Sequence, residues 1–376
     1  MRIRFGGAAA RAAMMVVLFA APLAAHAQQQ EFGIGIVGAL TGGFAGATHD
    51  SIEGLNGWIK ARGVPGKKVV LTTLDDETNP VNAQNVFRKL ASDPKISVIM
   101  MFSNSNAGLA IKPFASEYKV PIISGGGADT LGVPADPYLF KVVPATKALM
   151  ISVATYAKAK GYRKIAHLYS ADAYGQADFA NLKEAAAAQG LQEVDAESFN
   201  IDDTNFNTQL VKLKAAAPDL IYSSASGRAA VISYKLYKQM GIKIPLIIST
   251  AAITPAFFDG IGGASEADGL MGVVPVGQFG EKAGGTNAAL YKELQAAIGH
   301  PPTYLATFGF DSGLIAGAGI ANSDGSRQGI RDALEKLKDM PAINGLVTYR
   351  PEDHTGQDYR ALRIGVLKAG LFEPVL

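Results

Sequence analysis

From Phe32 onward the chain alternates short apolar runs with longer amphipathic stretches. The short runs are rich in Ile and Val, which predicts strands buried on both faces. The stretches between them carry apolar residues at helical spacing, so the pattern is that of βα units building a parallel sheet. In the first half it predicts strands over Gly33–Leu40, Lys68–Asp75, Ile96–Met101 and Val120–Ser124. One intervening helix is sharply delimited: Asn79 caps it, Pro80 fills its first position, Val81, Val86, Phe87 and Leu90 form one face, and Asp93-Pro94 ends it.

The same order returns after Pro144. Strands are predicted over Lys164–Ser170, Gln192–Phe199, Asp219–Ser223 and Pro245–Ser249, with helices over Tyr174–Gln189, Phe206–Ala216 and Arg228–Met240 between them. Equivalent strand positions in the two halves are separated by similar intervals while the residues barely match, so the topology repeats and the sequence does not. Beyond Gly269 come a strand to Val276, helices over Asn287–Ile298, Leu305–Ala321 and Gly329–Lys338, and two last strands over Leu346–Tyr349 and Ala361–Leu367. The expected class is α/β, with two Rossmann-like lobes of parallel-type sheet. No long Pro/Gly/Ser tether separates them, so short crossovers at Val143-Pro144, Val274-Pro275 and Thr348-Tyr349 are expected to serve as hinges. Residues 28–143 plus 275–348 then form one lobe, and 144–274 plus 349–376 the other.

Composition narrows the compartment and the chemistry. The chain has 376 residues, 48% of them hydrophobic and 18% charged, enough to bury two cores without staples. It has no cysteine, which removes disulfides, thiolate metal sites, cysteine nucleophiles and a lipoprotein anchor. Arg2, Arg4 and Arg11 precede the apolar run Ala12–Ala25 and the triplet Ala25-His26-Ala27, the features of a cleavable export signal over residues 1–27. Three of the 35 basic residues and none of the 33 acidic ones leave with it, so the mature chain carries −1. That balance gives no footprint for nucleic acid, and the remainder is expected not to insert in a membrane.

Several motifs resolve into structural readings. Gly33-Ile34-Gly35-Ile36-Val37-Gly38 has dinucleotide spacing but lies inside a predicted strand, whereas a nucleotide site needs those glycines in the turn after it. No Gly-Lys-Ser/Thr follows Gly125-Gly126-Gly127. His49, His167, His300 and His354 lack metal-site spacing, and no nucleophile elbow is present, so neither a metal, a cofactor nor catalysis is expected. Asp75-Asp76-Glu77 reads as a strand end leading into the Asn79 cap.

Open α/β sheets bind ligands at the carboxyl ends of their strands. Those positions hold Phe44 and Ala47, then Ser103-Asn104-Ser105-Asn106, then Ser124 to Ala128. In the second half they hold Ala173-Tyr174, Ser224 to Arg228, and Ser249-Thr250-Ala251. Small hydroxyl and amide residues dominate, at helix starts whose free N–H groups and dipole favour an anionic group.

Gly38-Ala39-Leu40-Thr41-Gly42, Asp75 to Pro80, the stretch Pro113 to Ser124, Tyr174-Gly175, and Asn205-Phe206 through Pro218-Asp219 together make the mature chain resemble the leucine/isoleucine/valine-binding type of periplasmic solute receptors. The resemblance implies a type I periplasmic binding protein fold with three crossovers, closing on a small solute, and an ABC permease with its ATPase as partners. It carries ligand contacts to Ser103 or Ser105, Gly126, Ala128, Tyr174, Ser226 and Thr250, with Asn104 in the same loop. This chain departs where the amino-acid receptors place a carboxylate (here Thr250) and a threonine (here Ala128). A buried ammonium without an anionic partner costs several kcal/mol, about 3 or more. The expected ligand is therefore a small carboxylate with an aromatic or apolar body, packed by Phe44 and Tyr174 and paired by Arg228. The alternatives are a neutral amino acid or a periplasmic enzyme on the same fold. The family's disulfide is absent too, with Thr78 and Phe102 near its positions.

Overall fold

The computed structural model describes Met1 and residues 30–249, 252–357 and 362–375. The export signal expected over residues 1–27 therefore lies outside the described residues apart from Met1, and Thr250 lies outside them as well. The first lobe is centred on a parallel sheet of β1 (Gln30–Gly38), β2 (Lys67–Asp75), β3 (Ile96–Phe102), β4 (Ile122–Ser124) and β5 (Leu139–Lys141). Its order is β2-β1-β3-β4-β5. Helices α1 (Ala45–Ala61), α2 (Pro80–Ser92) and α3 (Ser105–Tyr118) make the crossovers. Such a doubly wound order reverses direction between β1 and β3, and the crevice at that reversal opens at the carboxyl ends of the strands.

The second lobe repeats the order with seven strands. Helix α4 (Thr146–Ala159) leads into β6 (Lys164–Ser170), α5 (Ala173–Gln189), β7 (Gln192–Phe199), α6 (Asn207–Ala215), β8 (Leu220–Ser223), α7 (Gly227–Gln239) and β9 (Leu246–Ile248). After α8 (Pro255–Ile261) comes β10 (Met271–Pro275). The chain then returns to the first lobe as α9 (Gly285–Ile298), α10 (Tyr304–Ala321), α11 (Arg327–Glu335) and a small antiparallel sheet, β11 (Met340–Ala342), β12 (Gly345–Arg350) and β13 (Asp353–Gln357). It ends in β14 (Leu362–Lys368), which pairs antiparallel to β10, and β15 (Leu371–Pro374), which pairs antiparallel to β14 at the sheet's edge. Read from β7, that sheet runs β7-β6-β8-β9-β10, the same switch as in the first lobe.

Asn79 caps α2 through its side chain, which accepts from the Val81 and Asn82 N–H groups, as its position before Pro80 requires. The Gly-x-Gly stretch of β1 serves packing, since a Cβ on Gly33 would sit 2.2 Å from the Lys95 carbonyl oxygen. One face of the first sheet packs with Trp58, Leu294, Phe308 and Phe310, the other with Phe87, Met101 and Ile111. The last crossover falls later in the chain than the sequence pattern placed it. Tyr349 belongs to the first-lobe core, its ring 5.0 Å from that of Phe140, and His354 donates through Nδ1 to the Leu139 carbonyl. Residues 349–357 thus stay with the first lobe because β12 continues into β13 and packs beside β5.

Candidate functional site

The crevices of the two sheets face each other, and the lobes meet across them. Gly227 has φ +53°, and a Cβ there would lie 2.6 Å from the Gly43 carbonyl oxygen of the opposite lobe. A Cβ on Gly127 would lie 2.6 Å from the Tyr174 ring. Between these contacts is a cavity lined by residues of both lobes.

The wall is assembled largely from helix starts. Phe44 precedes α1, Ser103 to Ser105 open α3, Asp172 and Tyr174 open α5, Ser226 precedes α7, and Tyr304 and Leu305 begin α10. Each brings the positive end of its helix dipole toward the space between the lobes. Asn104 spends its side chain capping α3, accepting from the Ala107 N–H. The Ser105 hydroxyl accepts from the Ala128 N–H at 3.0 Å, which leaves its own proton to donate. Ser103 is almost fully buried and stands beside the buried Asp76 carboxyl. Burial pushes the Asp76 pKa up, partly offset by bonding from Ser103 and Thr78.

Asp75 shapes the loop that presents Phe44. Its carboxylate accepts from the Leu40, Thr41 and Glu77 N–H groups and from the Thr41 hydroxyl. Burial raises its pKa, but these donors outweigh it and the net shift is downward. Thr78 then accepts the Phe44 N–H at 3.2 Å. The acidic stretch therefore works as a turn scaffold.

From the second lobe come aromatic hydroxyls. The Tyr174 and Ser249 hydroxyls lie 3.2 Å apart. Tyr222, wholly buried and on the wall, donates to Asp178 Oδ2 at 2.9 Å. Burial raises the Asp178 pKa well above the usual carboxylate range, against the pull of Tyr222 and Tyr174. Asp172 uses Oδ1 to accept both the Ser170 hydroxyl and the Gly175 N–H, the latter its helix-capping bond. Apolar surface is supplied by Val143, Leu149, Ile201 and Val273.

The structure brings Phe44, Ser103, Asn104, Ser105, Gly126, Tyr174 and Ser226 onto this cavity. Two expectations are corrected. Ala128 has its methyl in the first-lobe core, and only its backbone N–H reaches the site, through Ser105. Arg228 does not reach the inner space; it lines the outer cleft with Ala47, Phe44 and Ser226, and its guanidinium donates to the Asp202 carbonyl at 3.1 Å. Being the second residue of α7, it points along the helix exterior while Ser226 faces inward.

Sequence reasoning missed Asp172, Tyr222 and Tyr304 as wall residues, whereas Ser249 falls in the strand-end triplet it singled out. It also missed Lys141, which is fully buried and donates to the Gly127 and Ala128 carbonyls at 2.9 and 3.1 Å, fixing the glycine loop. Burial draws its pKa down to about 8, opposed by Asp129 and Asp353. Among the described residues no cluster of His, Asp and Glu is placed to hold a metal ion, and no helix is long and apolar enough to cross a membrane.

Comparison with known proteins agrees with this architecture. Residues 31–370 match the family model described as periplasmic binding protein. An amino acid binding protein from Pseudomonas aeruginosa is 24% identical over 268 residues, covering 63% of this chain; the chain spans 65% of that relative's length. An extracellular ligand-binding receptor from Rhodopseudomonas palustris HaA2 superimposes with a TM-score of 0.82 at 26% identity, over 92% of this chain and 100% of the other. A solute-binding protein of an R. palustris ABC transporter, solved in complex with benzoate, gives 0.81 at 21% identity, over 92% and 95%. The two facing crevices, the woven lobes and the family match over nearly the whole chain show that this protein belongs to the periplasmic binding protein family.

Proposed function

We propose that the protein is the exported, periplasmic receptor of an ABC importer, delivering its ligand to a permease and ATPase. In this reading it captures a small carboxylate with an aromatic or apolar body, without catalysis. One observation carries the ligand class: five helix starts and the hydroxyls of Ser105, Ser226 and Ser249 line the cavity, and among the described residues no Lys, Arg or His does. A carboxylate there is met by N–H and O–H donors and by dipoles, which stabilise a buried anion without a counter-charge. The rings of Phe44, Tyr174 and Tyr304 suit a flat apolar body. The benzoate-bound relative supports the same class.

A neutral amino acid is the second reading, and Asp172 favours it, because this wall carboxylate has one oxygen outside its capping bonds. Calorimetry with benzoate, 4-hydroxybenzoate, leucine and valine separates the two. Micromolar binding of an aromatic acid, with leucine and valine silent, is expected. Asp172→Asn then leaves or improves acid binding, whereas an amino-acid receptor would lose about tenfold or more in affinity for the ammonium ligand. Tight leucine binding with no acid binding overturns the proposal.

A further inference from the structure

The first lobe grips one helix of the second lobe at two places that do not line the ligand cavity. At the start of α5, Asn106 of the first lobe accepts the Ala173 N–H through Oδ1 at 3.1 Å. This N–H is one of the donors a helix start leaves without an intrahelical partner. The helix's own cap, Asp172, is occupied with Gly175, so the opposite lobe completes the capping. Eight residues along, about 12 Å by helical rise, Asn181 Nδ2 donates to Asp129 Oδ2 of the first lobe at 2.6 Å. Thr146, at the start of α4, donates to the same oxygen at 3.0 Å and receives from Asn181 at 2.7 Å.

Asp129 is itself tied to the pocket. It directly follows the glycine loop whose Gly127 and Ala128 carbonyls are held by the buried Lys141 ammonium. Gly126 of that loop lines the cavity, yet Asn106, Asp129, Thr146, Ala173 and Asn181 do not. Any separation of the lobes that frees α5 from the first lobe must break the Asn106 and Asn181 bonds, whatever molecule lies in the cleft.

We infer that Asn106 and Asn181, with Asp129, form an interlobe latch on α5 that stabilises the closed conformer independently of ligand and so sets affinity from outside the binding cavity. Apparent affinity scales with the fraction of molecules already competent to bind. Each latch bond, at the usual net worth of a hydrogen bond, changes that fraction by about fivefold. These are positioning residues, acting through the geometry of the lobes.

The test needs no ligand, so its failure and the failure of the proposed ligand class are independent. The chain has no native cysteine, so Val81→Cys on α2 and Val211→Cys on α6, both exposed and one on each lobe, accept spin labels cleanly. Any bound compound is first removed by unfolding and refolding. Double electron–electron resonance then reads the interlobe distance in the otherwise unaltered protein, in Asn181→Asp, which sets a second carboxylate against Asp129, and in Asn106→Ala. The expected result is a closed-distance population in the unaltered protein that falls at least about fivefold in Asn181→Asp and less in Asn106→Ala. Circular dichroism and melting curves check folding, and Asn106→Ala carries the test alone if Asn181→Asp misfolds. Coincident distance distributions in all three proteins, or no closed population in the unaltered one, overturn the inference.

Discussion

In the first lobe, α1 and α10 approach until backbone meets backbone: a Cβ on Gly54 would lie 1.8 Å from the Ala306 carbonyl oxygen, and one on Gly309 would lie 1.9 Å from that of Ser51. The corresponding pair in the second lobe, α4 and α5, meets through side chains, with Leu149, Met150 and Val153 against Leu182, Ala185 and Ala186. Both pairs begin at or beside the ligand cavity, through Phe44 and Tyr304 in one case and Leu149 and Tyr174 in the other. The difference teaches that equal topology does not mean equal tolerance. The first lobe sets its wall by how closely two backbones approach, while the second sets it by side-chain volume.

The sharpest way to break that contrast is to add volume to one interface and remove it from the other. Gly309→Val drives side-chain atoms into backbone that has nowhere to relax, and more than about 3 kcal/mol of stability should go. Leu182→Ala leaves a cavity that neighbouring side chains can partly fill, at a cost of roughly 2–4 kcal/mol. Denaturant unfolding measures both. If Gly309→Val proves the milder of the two, the close backbone contact is not what holds α1 to α10.

In the proposed reading the lobes also divide ligand recognition, with Ser105 of the first offering a hydroxyl and Tyr174 of the second a ring and a hydroxyl. With benzoate as the titrant, Tyr174→Ala should cost about 100-fold in affinity, since ring burial and a hydrogen bond go together. Ser105→Ala should cost about tenfold, the value of one donor. A larger effect from Ser105→Ala would make the first lobe the dominant partner.

Much of this was legible because βα units write themselves in periodicity, and the strands over 164–170 and 192–199 and the Asn79-capped helix follow directly from pattern and capping chemistry. The three-residue strand β5 leaves no such trace, because one of its three residues is a buried lysine. Tyr222 falls in a predicted strand and Asp178 in a predicted helix. Their pairing requires two elements 44 residues apart to be superposed. Nothing local tells that Arg228, one residue past an inward helix start, turns outward.

The cores differ in the buried titratable groups they carry, and pH resolves them. Asp311 on α10 accepts the Ile343 and Asn344 N–H groups and the Asn344 side chain, yet burial outweighs these donors and lifts its pKa to about 7. His167 on β6 has neither ring nitrogen bonded and lies among Tyr169, Phe179 and Tyr222; burial lowers its pKa to about 3. Between pH 4 and 7 the folded chain keeps a proton on Asp311 that the unfolded chain releases, so this group makes stability fall as pH rises. Between pH 3 and 6.5 the unfolded chain protonates His167 and the folded chain does not, so this group makes stability rise with pH. Each slope is at most about 1.4 kcal/mol per pH unit. From pH 4.5 to 6, Asp311→Asn should therefore steepen the rise of stability with pH, and His167→Phe should flatten or reverse it, while all other titrations are common to both. Denaturant unfolding across that window reads the difference. Parallel pH profiles for the two variants would mean that neither buried group keeps the protonation state its lobe imposes.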